Sequence, residues 1–323
     1  MTPHGPGTGG RGRSSGDSPA ARPRIIALVG PTAVGKTELG IEVALRFDAE
    51  IINADSQQVY RRLDVGSAKP TAVQRARVAH HVVDVVEPDQ PFDCAQFRRL
   101  ARAAISDIAA RGKRVLVVGG TGLYVKALLR GLFEGPARDP QVRARLTAAE
   151  RATPGCLHAR LLAVDPAAAG RLHPHDGARL VRALEVYELT GEPISAWHAR
   201  HAFADADVDA LLLGLSLPRS ELYARINARC EAMLREGLID EVRRLYAAGF
   251  DADTPALRSP GYREIGDYVC GRCDLPSATA RMARATRRLA KRQLTWFRGD
   301  PRVVWCAPEI EALCSQIQKF WRS

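Results

Sequence analysis

Nowhere in the 323 residues does an apolar run approach the ~20 residues that a membrane-spanning helix needs. The apolar stretches, such as Val115–Val118 and Leu211–Leu213, are strand-length. No membrane association is expected. The N-terminus also lacks the continuous apolar stretch of a secretory signal, so a cytoplasmic location is expected. There is no disulfide scaffold: seven cysteines are scattered and odd in number, which fits reduced thiols. Cys270-Gly-Arg-Cys273 is a C-x-x-C, but no second pair stands at zinc-site spacing and no thioredoxin-like pattern surrounds it. It reads as a structural accident.

What the chain does have is the balance of a soluble globular protein, 46% hydrophobic and 26% charged, with a net charge of +11. The segment 1–23, rich in Gly, Pro, Ser and Arg, is expected to be a disordered tail. Through Arg24 the chain holds +3 of the net charge, which leaves +8 on the rest. A positive field of that size favours polyanions, nucleic acid above all. An Arg-rich codon usage would raise the count without function, so charge alone leaves the question open.

The periodicity alternates between strand and helix. Arg24–Gly30 reads as a buried strand, Lys36–Arg46 as a helix, and Ala49–Ala54 as a second strand ending at Asp55-Ser56. Val82–Val86 is a third strand candidate. Phe92–Ala110 is expected to be helical, with Phe97, Leu100, Ala104 and Ile108 on one face, and Arg114–Val118 to be another strand. This alternation implies an α/β fold with a parallel sheet flanked by helices. After about Pro136 the pattern turns helical and almost strand-free. The expected division is a core of residues 24–138 and 206–323 interrupted by a helical insertion domain, residues 139–205. Asp209–Leu217 reads as a returning strand, and Pro301–Cys306 as a last short one.

Gly30-Pro31-Thr32-Ala33-Val34-Gly35-Lys36-Thr37 matches G-x-x-x-x-G-K-[ST]. Small residues let backbone N–H groups curl around phosphate oxygens, and the following helix adds its positive end. Lys36 neutralises the outer phosphate charge, and the Thr37 hydroxyl can ligate Mg²⁺. The motif follows an expected strand and opens an expected helix, as it must. ATP or GTP is the usual ligand, yet no N-K-x-D guanine reader is present. The hydrophobic strand Val115–Val118 ends in Gly-Gly-Thr rather than in the acidic residue that often helps hold the metal. Asp55 is the remaining acidic candidate.

Asp55-Ser56-Gln57-Gln58-Val59-Tyr60 and Asp64-Val-Gly66-Ser67-Ala68-Lys69-Pro70 are followed, in order, by several further blocks. These are His81–Asp84 with Pro88 and Phe92, Gly119-Gly-Thr121-Gly-Leu-Tyr124, Arg171–Pro174 with Asp176 and Arg179–Glu185, Gly261–Glu264, and Thr286–Arg298. Together they resemble the tRNA dimethylallyltransferases, also called tRNA isopentenyltransferases, from about Arg24 to Arg302. Ser67 stands where that family usually has Thr, and Pro260 precedes Gly261 where an aliphatic residue is commoner.

The resemblance implies a P-loop NTPase-like core. It implies transfer of a dimethylallyl group from dimethylallyl pyrophosphate to N6 of the adenosine just 3′ of the anticodon in tRNA. Gly30–Thr37 would then grip the pyrophosphate, with Mg²⁺ on Thr37. Asp55 would be the general base or acceptor for the adenine amine, Thr121 would orient the reacting groups, and Arg229 would contact the pyrophosphate. Helix capping is the structural alternative for Asp55 and for Thr121. RNA contacts would come from Asp55, Ser56, Gln57 and Gln58, from Thr121, and from Arg143, Arg179 and Arg182 in the insertion. Further ones would come from Arg258, Gly261, Tyr262 and Arg263, and from Lys291, Arg292, Gln293, Trp296 and Arg298. Independently of the resemblance, Arg281, Arg284, Arg288 and Lys291 form one basic stripe if 281–298 is a helix. A solvated surface face explains that stripe equally well. A small-molecule or nucleoside kinase using the same loop is the alternative activity, and a monomer is the default state.

Overall fold

The computed structural model describes residues 22–131, 135–201 and 208–322. The tail expected over 1–23 lies outside the described residues, apart from its last two. Strands and helices alternate through the first third: β1 (Arg24–Val29), α1 (Lys36–Arg46), β2 (Ala49–Asn53), α2 (Ala72–Arg77), β3 (His80–His81), α3 (Cys94–Ala110), β4 (Arg114–Gly119) and α4 (Gly122–Arg130). Five helices follow, α5 (Pro140–Ala152), α6 (Cys156–Val164), α7 (Pro166–Ala169), α8 (Gly177–Thr190) and α9 (Ile194–His201). The chain then returns through β5 (Asp209–Leu215), α10 (Arg219–Arg235), α11 (Leu238–Ala247), a 3-10 turn at Pro255–Arg258, α12 (Tyr262–Val269), α13 (Leu275–Arg298), β6 (Val303–Cys306) and α14 (Ile310–Arg322).

The six strands make one sheet in the order β3-β2-β4-β1-β5-β6, and every pairing is parallel. From Ile25 to Val29, β1 is buried on both faces, the mark of a parallel sheet covered by helices on both sides. The order decides where the site forms. β4 lies between β2 and β1, so the segments leaving the C-terminal ends of β2, β4 and β1 sit side by side. In open α/β sheets this is where ligands bind.

Two expectations need correction. Val82–Val86 is not a strand: β3 is only His80–His81, joined further on by a single bridge between Tyr60 and Val86. The reason is backbone geometry, since Val82 and Asp84 adopt φ of 60° and 56°, outside any extended conformation. The buried face of α3 is also rotated. Phe97, Ala101, Ile105 and Ile108 are buried, while Leu100 and Ala104 are only half-buried. It starts two residues later than expected, because the Asp93 carboxylate caps the amides of Ala95 and Gln96.

Helices α5 to α9 bury an apolar cluster of their own, around Leu146, Leu157, Leu161, Leu180, Leu184 and Ile194. At its edge Glu185, wholly buried, accepts from the Asp139 amide (2.8 Å) and from the guanidinium groups of Arg143 (3.1 Å) and Arg182 (2.8 Å). Burial pushes the Glu185 carboxyl up, but these partners outweigh it and hold it below its ordinary range.

Candidate active site

The loop Gly30–Thr37 carries the chain from β1 into α1. Gly35 caps the helix with φ of 103°, a conformation that strains any residue with a Cβ. No side chain caps this helix, and its first residues, Lys36, Thr37 and Glu38, line the cleft. Lys36 Nζ donates to the loop's own carbonyls, Gly30 O at 3.0 Å and Pro31 O at 2.6 Å. Burial pushes the Lys36 amine down to about 8; Asp55 opposes this shift and Arg229 adds to it.

The three groups belong to one cleft with two lobes. The first, about 660 Å³, is lined by Thr32, Lys36, Thr37, Asp55 and Arg229 among others. The second, about 430 Å³, is lined by Ser56, Gln57, Thr121, Arg258, Arg292 and Gln293. Thr32, Asp55, Arg229 and Met233 border both. Asp55 and Arg229 therefore stand where the lobes meet. Arg229, on α10, has its pKa lowered by burial, with Asp55 pulling the other way.

Thr121 begins α4 but makes no capping bond. Its Oγ1 instead accepts from the Ser56 amide at 2.9 Å, across from the end of β4 to the end of β2. This bond ties Thr121 to the Asp55 turn, where Asp55 Oδ1 accepts from the Gln57 amide at 2.8 Å. Both residues thus serve their turns and still line the cleft.

The residues expected to touch RNA divide into four groups. Asp55, Ser56, Gln57, Thr121, Arg258, Arg292 and Gln293 converge on the second lobe. Lys291, Trp296 and Arg298 are exposed on α13, with the Trp296 indole packed against Gly122; Arg263 is exposed on α12 and paired with Glu264 (2.6 Å). Arg143, Arg179 and Arg182 lie on α5 and α8, outside the lining of both lobes. Three others face inward. The Gln58 amide is buried and donates to Ser67 O (3.2 Å) and Ala68 O (3.0 Å). Gly261 is buried, and the Tyr262 ring packs against Gly66 with its hydroxyl donating to Glu241 (2.6 Å). Gln58 borders the first lobe while its amide holds the Ser67–Ala68 backbone, and Tyr262 supports the wall of the site from behind Gly66.

Reasoning from the sequence missed that wall. The segment Asp64–Lys69 borders both lobes and is held by the buried Glu241, which accepts the amides of Asp64, Val65 and Gly66. The Lys69 ammonium closes it from the other side, bonded to Tyr60 O (2.9 Å), Asp64 (2.7 Å) and Asp84 (2.6 Å). The Asp64–Pro70 block was a signal for Lys69. Nothing in the local pattern of α11 distinguishes Glu241, and nothing in α10 marks Met233.

As for metals, no group of three His, Cys, Asp or Glu side chains among the described residues could hold an ion. Thr37, in the same lobe as Lys36, fits Mg²⁺ only as one oxygen ligand beside phosphate oxygens and waters, the usual habit of that ion. Among the described residues no helix is long and apolar enough to cross a membrane.

Comparison with known proteins supplies a family. The profile of the IPP transferase family matches residues 58–300, and that of isopentenyl transferase matches residues 23–80. The chain is 50% identical over 301 residues to tRNA dimethylallyltransferase 2 of Geotalea uraniireducens, covering 92% of this chain and 97% of that one. It is 51% identical over 300 residues to the tRNA dimethylallyltransferase of Anaeromyxobacter dehalogenans, covering 92% and 99%. The solved tRNA isopentenylpyrophosphate transferase of Bacillus halodurans superposes with a TM-score of 0.68 at 38% identity, over 93% of this chain and 95% of that one. A eukaryotic dimethylallyltransferase captured acting on tRNA superposes with a TM-score of 0.74 at 28% identity, over 88% and 74%. With a phosphate loop, an acid and a guanidinium meeting in one cleft, and with relatives this similar along nearly its whole length, the chain belongs to the IPP transferase family, the tRNA dimethylallyltransferases.

Proposed function

We propose that this protein transfers a dimethylallyl group from dimethylallyl pyrophosphate to N6 of the adenosine immediately 3′ of the anticodon in tRNA. The observation that carries the proposal is the pair Asp55 and Arg229 bordering both lobes, one lobe holding the phosphate loop and the other the Thr121–Ser56 turn. The pyrophosphate lies against the loop amides, Lys36 and Arg229. The prenyl C1 points toward Asp55, and the adenine enters through the second lobe.

The C–N bond forms as the C1–O bond breaks, and the electron pair leaves with pyrophosphate. Negative charge on the leaving oxygens grows in the transition state, so the fixed cations Lys36 and Arg229 stabilise it more than the ground state. Asp55 accepts the N6 proton and so strengthens a poor nucleophile. Thr121 holds the Asp55 turn in register through the Ser56 amide. Mg²⁺ on Thr37 would add charge neutralisation at the phosphate oxygens.

The adenosine must leave its stack, at a cost of roughly a few kcal/mol, and single-stranded loops are the readable part of RNA. Arg258, Arg292 and the basic surface of α13 meet the anticodon stem-loop, and Arg143, Arg179 and Arg182 extend the contact along the insertion 139–205. The named relatives speak for transfer to tRNA and not for the kinase alternative. The reaction belongs in the cytoplasm, where tRNA matures, and a single copy holds every residue the scheme uses.

The test is transfer of radiolabelled prenyl to an anticodon stem-loop bearing adenosine at that position, with Mg²⁺ present. Labelled isopentenyladenosine is the expected product. ATP-dependent phosphorylation of a small molecule, with no label in RNA, would overturn the proposal.

A further inference from the structure

Gln293 entered the argument as an RNA contact, yet its side chain is spent inside the protein. Its Oε1 accepts the backbone N–H of Thr32, in the phosphate loop, at 2.8 Å. Its amide nitrogen lies so close to Gly120 that a Cβ there would overlap it, and only glycine admits this approach. Gly120 immediately precedes Thr121. One carboxamide on α13 therefore spans the phosphate loop at the end of β1 and the turn at the end of β4. Thr32 borders both lobes of the cleft, and Gln293 lines the second.

We infer that Gln293 is a positioning residue, which sets the phosphate loop and the Thr121 turn in one register so that the donor carbon meets the acceptor amine. The inference rests on the transferase reading of the site. Its warrant is geometric. Donor and acceptor are held by segments from different strand ends, and no covalent link fixes one against the other. A displacement of about 1 Å between reacting groups costs on the order of 100-fold in rate without a comparable loss of binding. A backbone amide bound to a half-buried side-chain acceptor resists such displacement, because breaking that bond leaves the amide without its partner.

The two roles for Gln293 separate in kinetics. An RNA contact contributes to binding, so its loss raises the RNA KM and leaves kcat at saturation unchanged. A positioning residue lowers kcat while both substrates still bind.

The experiment uses the full chain with Gln293→Leu, which removes the acceptor at similar volume, and Gln293→Glu, which keeps an acceptor oxygen for the Thr32 amide. Turnover is measured at saturating donor and stem-loop. Affinity for inorganic pyrophosphate and for the stem-loop is measured separately. For Gln293→Leu we expect kcat to fall at least about 10-fold, with stem-loop affinity within about 3-fold of wild type. For Gln293→Glu we expect kcat to recover to within about 3-fold of wild type, although the added charge weakens pyrophosphate binding. An unchanged kcat in Gln293→Leu, with or without a raised RNA KM, overturns the inference. So does a Gln293→Glu variant whose kcat lies at least about 10-fold below wild type, which also decides the matter if Gln293→Leu does not fold. Failure of the wild-type chain to label RNA would instead sink the transferase reading.

Discussion

Asp55 and Lys36 sit about the same negative and positive problem from two sides. Asp55 is the carboxylate at the junction of the lobes, and it favours the charged form of Lys36. Replacing it with alanine should cut turnover by at least about 100-fold, the usual scale of a lost general base. Pyrophosphate should bind at least as well, since a like charge has been removed. Unchanged turnover in single-turnover assays would remove Asp55 from its role. Lys36 makes a pH statement. Its buried amine titrates near 8, so it is an ammonium below that pH and neutral above it. Donor kcat/KM should therefore fall as pH rises through about 8 in the free enzyme. In Asp55→Ala the same limb in pyrophosphate affinity should move to lower pH, because the carboxylate that favours the charged form of Lys36 is gone. A pH-independent affinity from pH 7 to 9 would contradict this assignment. The phosphate loop itself was legible from eight residues, because its chemistry is local to the backbone.

At the scale of elements, the sheet is tied at the end opposite the cleft by Glu50, at the start of β2. Its buried carboxylate meets the Arg111 guanidinium, which ends α3 (Nη2, 2.8 Å), and His81 of β3 (2.7 Å). The bond to Arg111 holds Glu50 at about 2; burial opposes this and His81 assists. A folded-state value below the unfolded one adds stability that is complete above the ordinary carboxylate range. That stability is lost as pH falls from about 4.5 to about 2. Glu50→Gln should therefore cost about 1–3 kcal/mol near neutral pH, with the gap from wild type closing across that window. Chemical denaturation at pH 7, 4 and 3 measures it; a constant gap would refute the linkage. Elements were largely legible in advance where periodicity ran long, as in α1 and β4. The miss at Val82–Val86 has a tertiary cause. Asn53 Nδ2 donates to Val82 O (3.1 Å) and Lys69 to Asp84 (2.6 Å), so partners remote in sequence hold a left-handed backbone that local preference rejects.

For the molecule as a whole, charge becomes a surface. Arg281, Arg284, Arg288 and Lys291 are all exposed along α13, which leads toward the second lobe at Arg292 and Gln293. Stem-loop affinity should fall steeply with salt, and Arg288→Ala should reduce the slope of log K against log salt by about 1 while weakening all stem-loops alike. A slope unchanged by this substitution would return the stripe to a solvated face.

The parallel α/β architecture and the G-x-x-x-x-G-K-[ST] loop were both legible along the chain. Both follow from short-range rules: strand-helix alternation, and a glycine-bearing turn ahead of a helix N-terminus. The sequence also carried enough motif order to name a family. That β4 stands between β2 and β1 is a matter of packing that no local stretch encodes. That order brings Asp55, Thr121 and Gly30–Thr37 to one cleft, although they are separated by tens of residues. Packing likewise turned Gln58 and Tyr262 inward and set Gln293 against the loop. Which way a polar side chain faces depends on what packs against it, and that is a property of the assembled sheet and helices rather than of any stretch of chain.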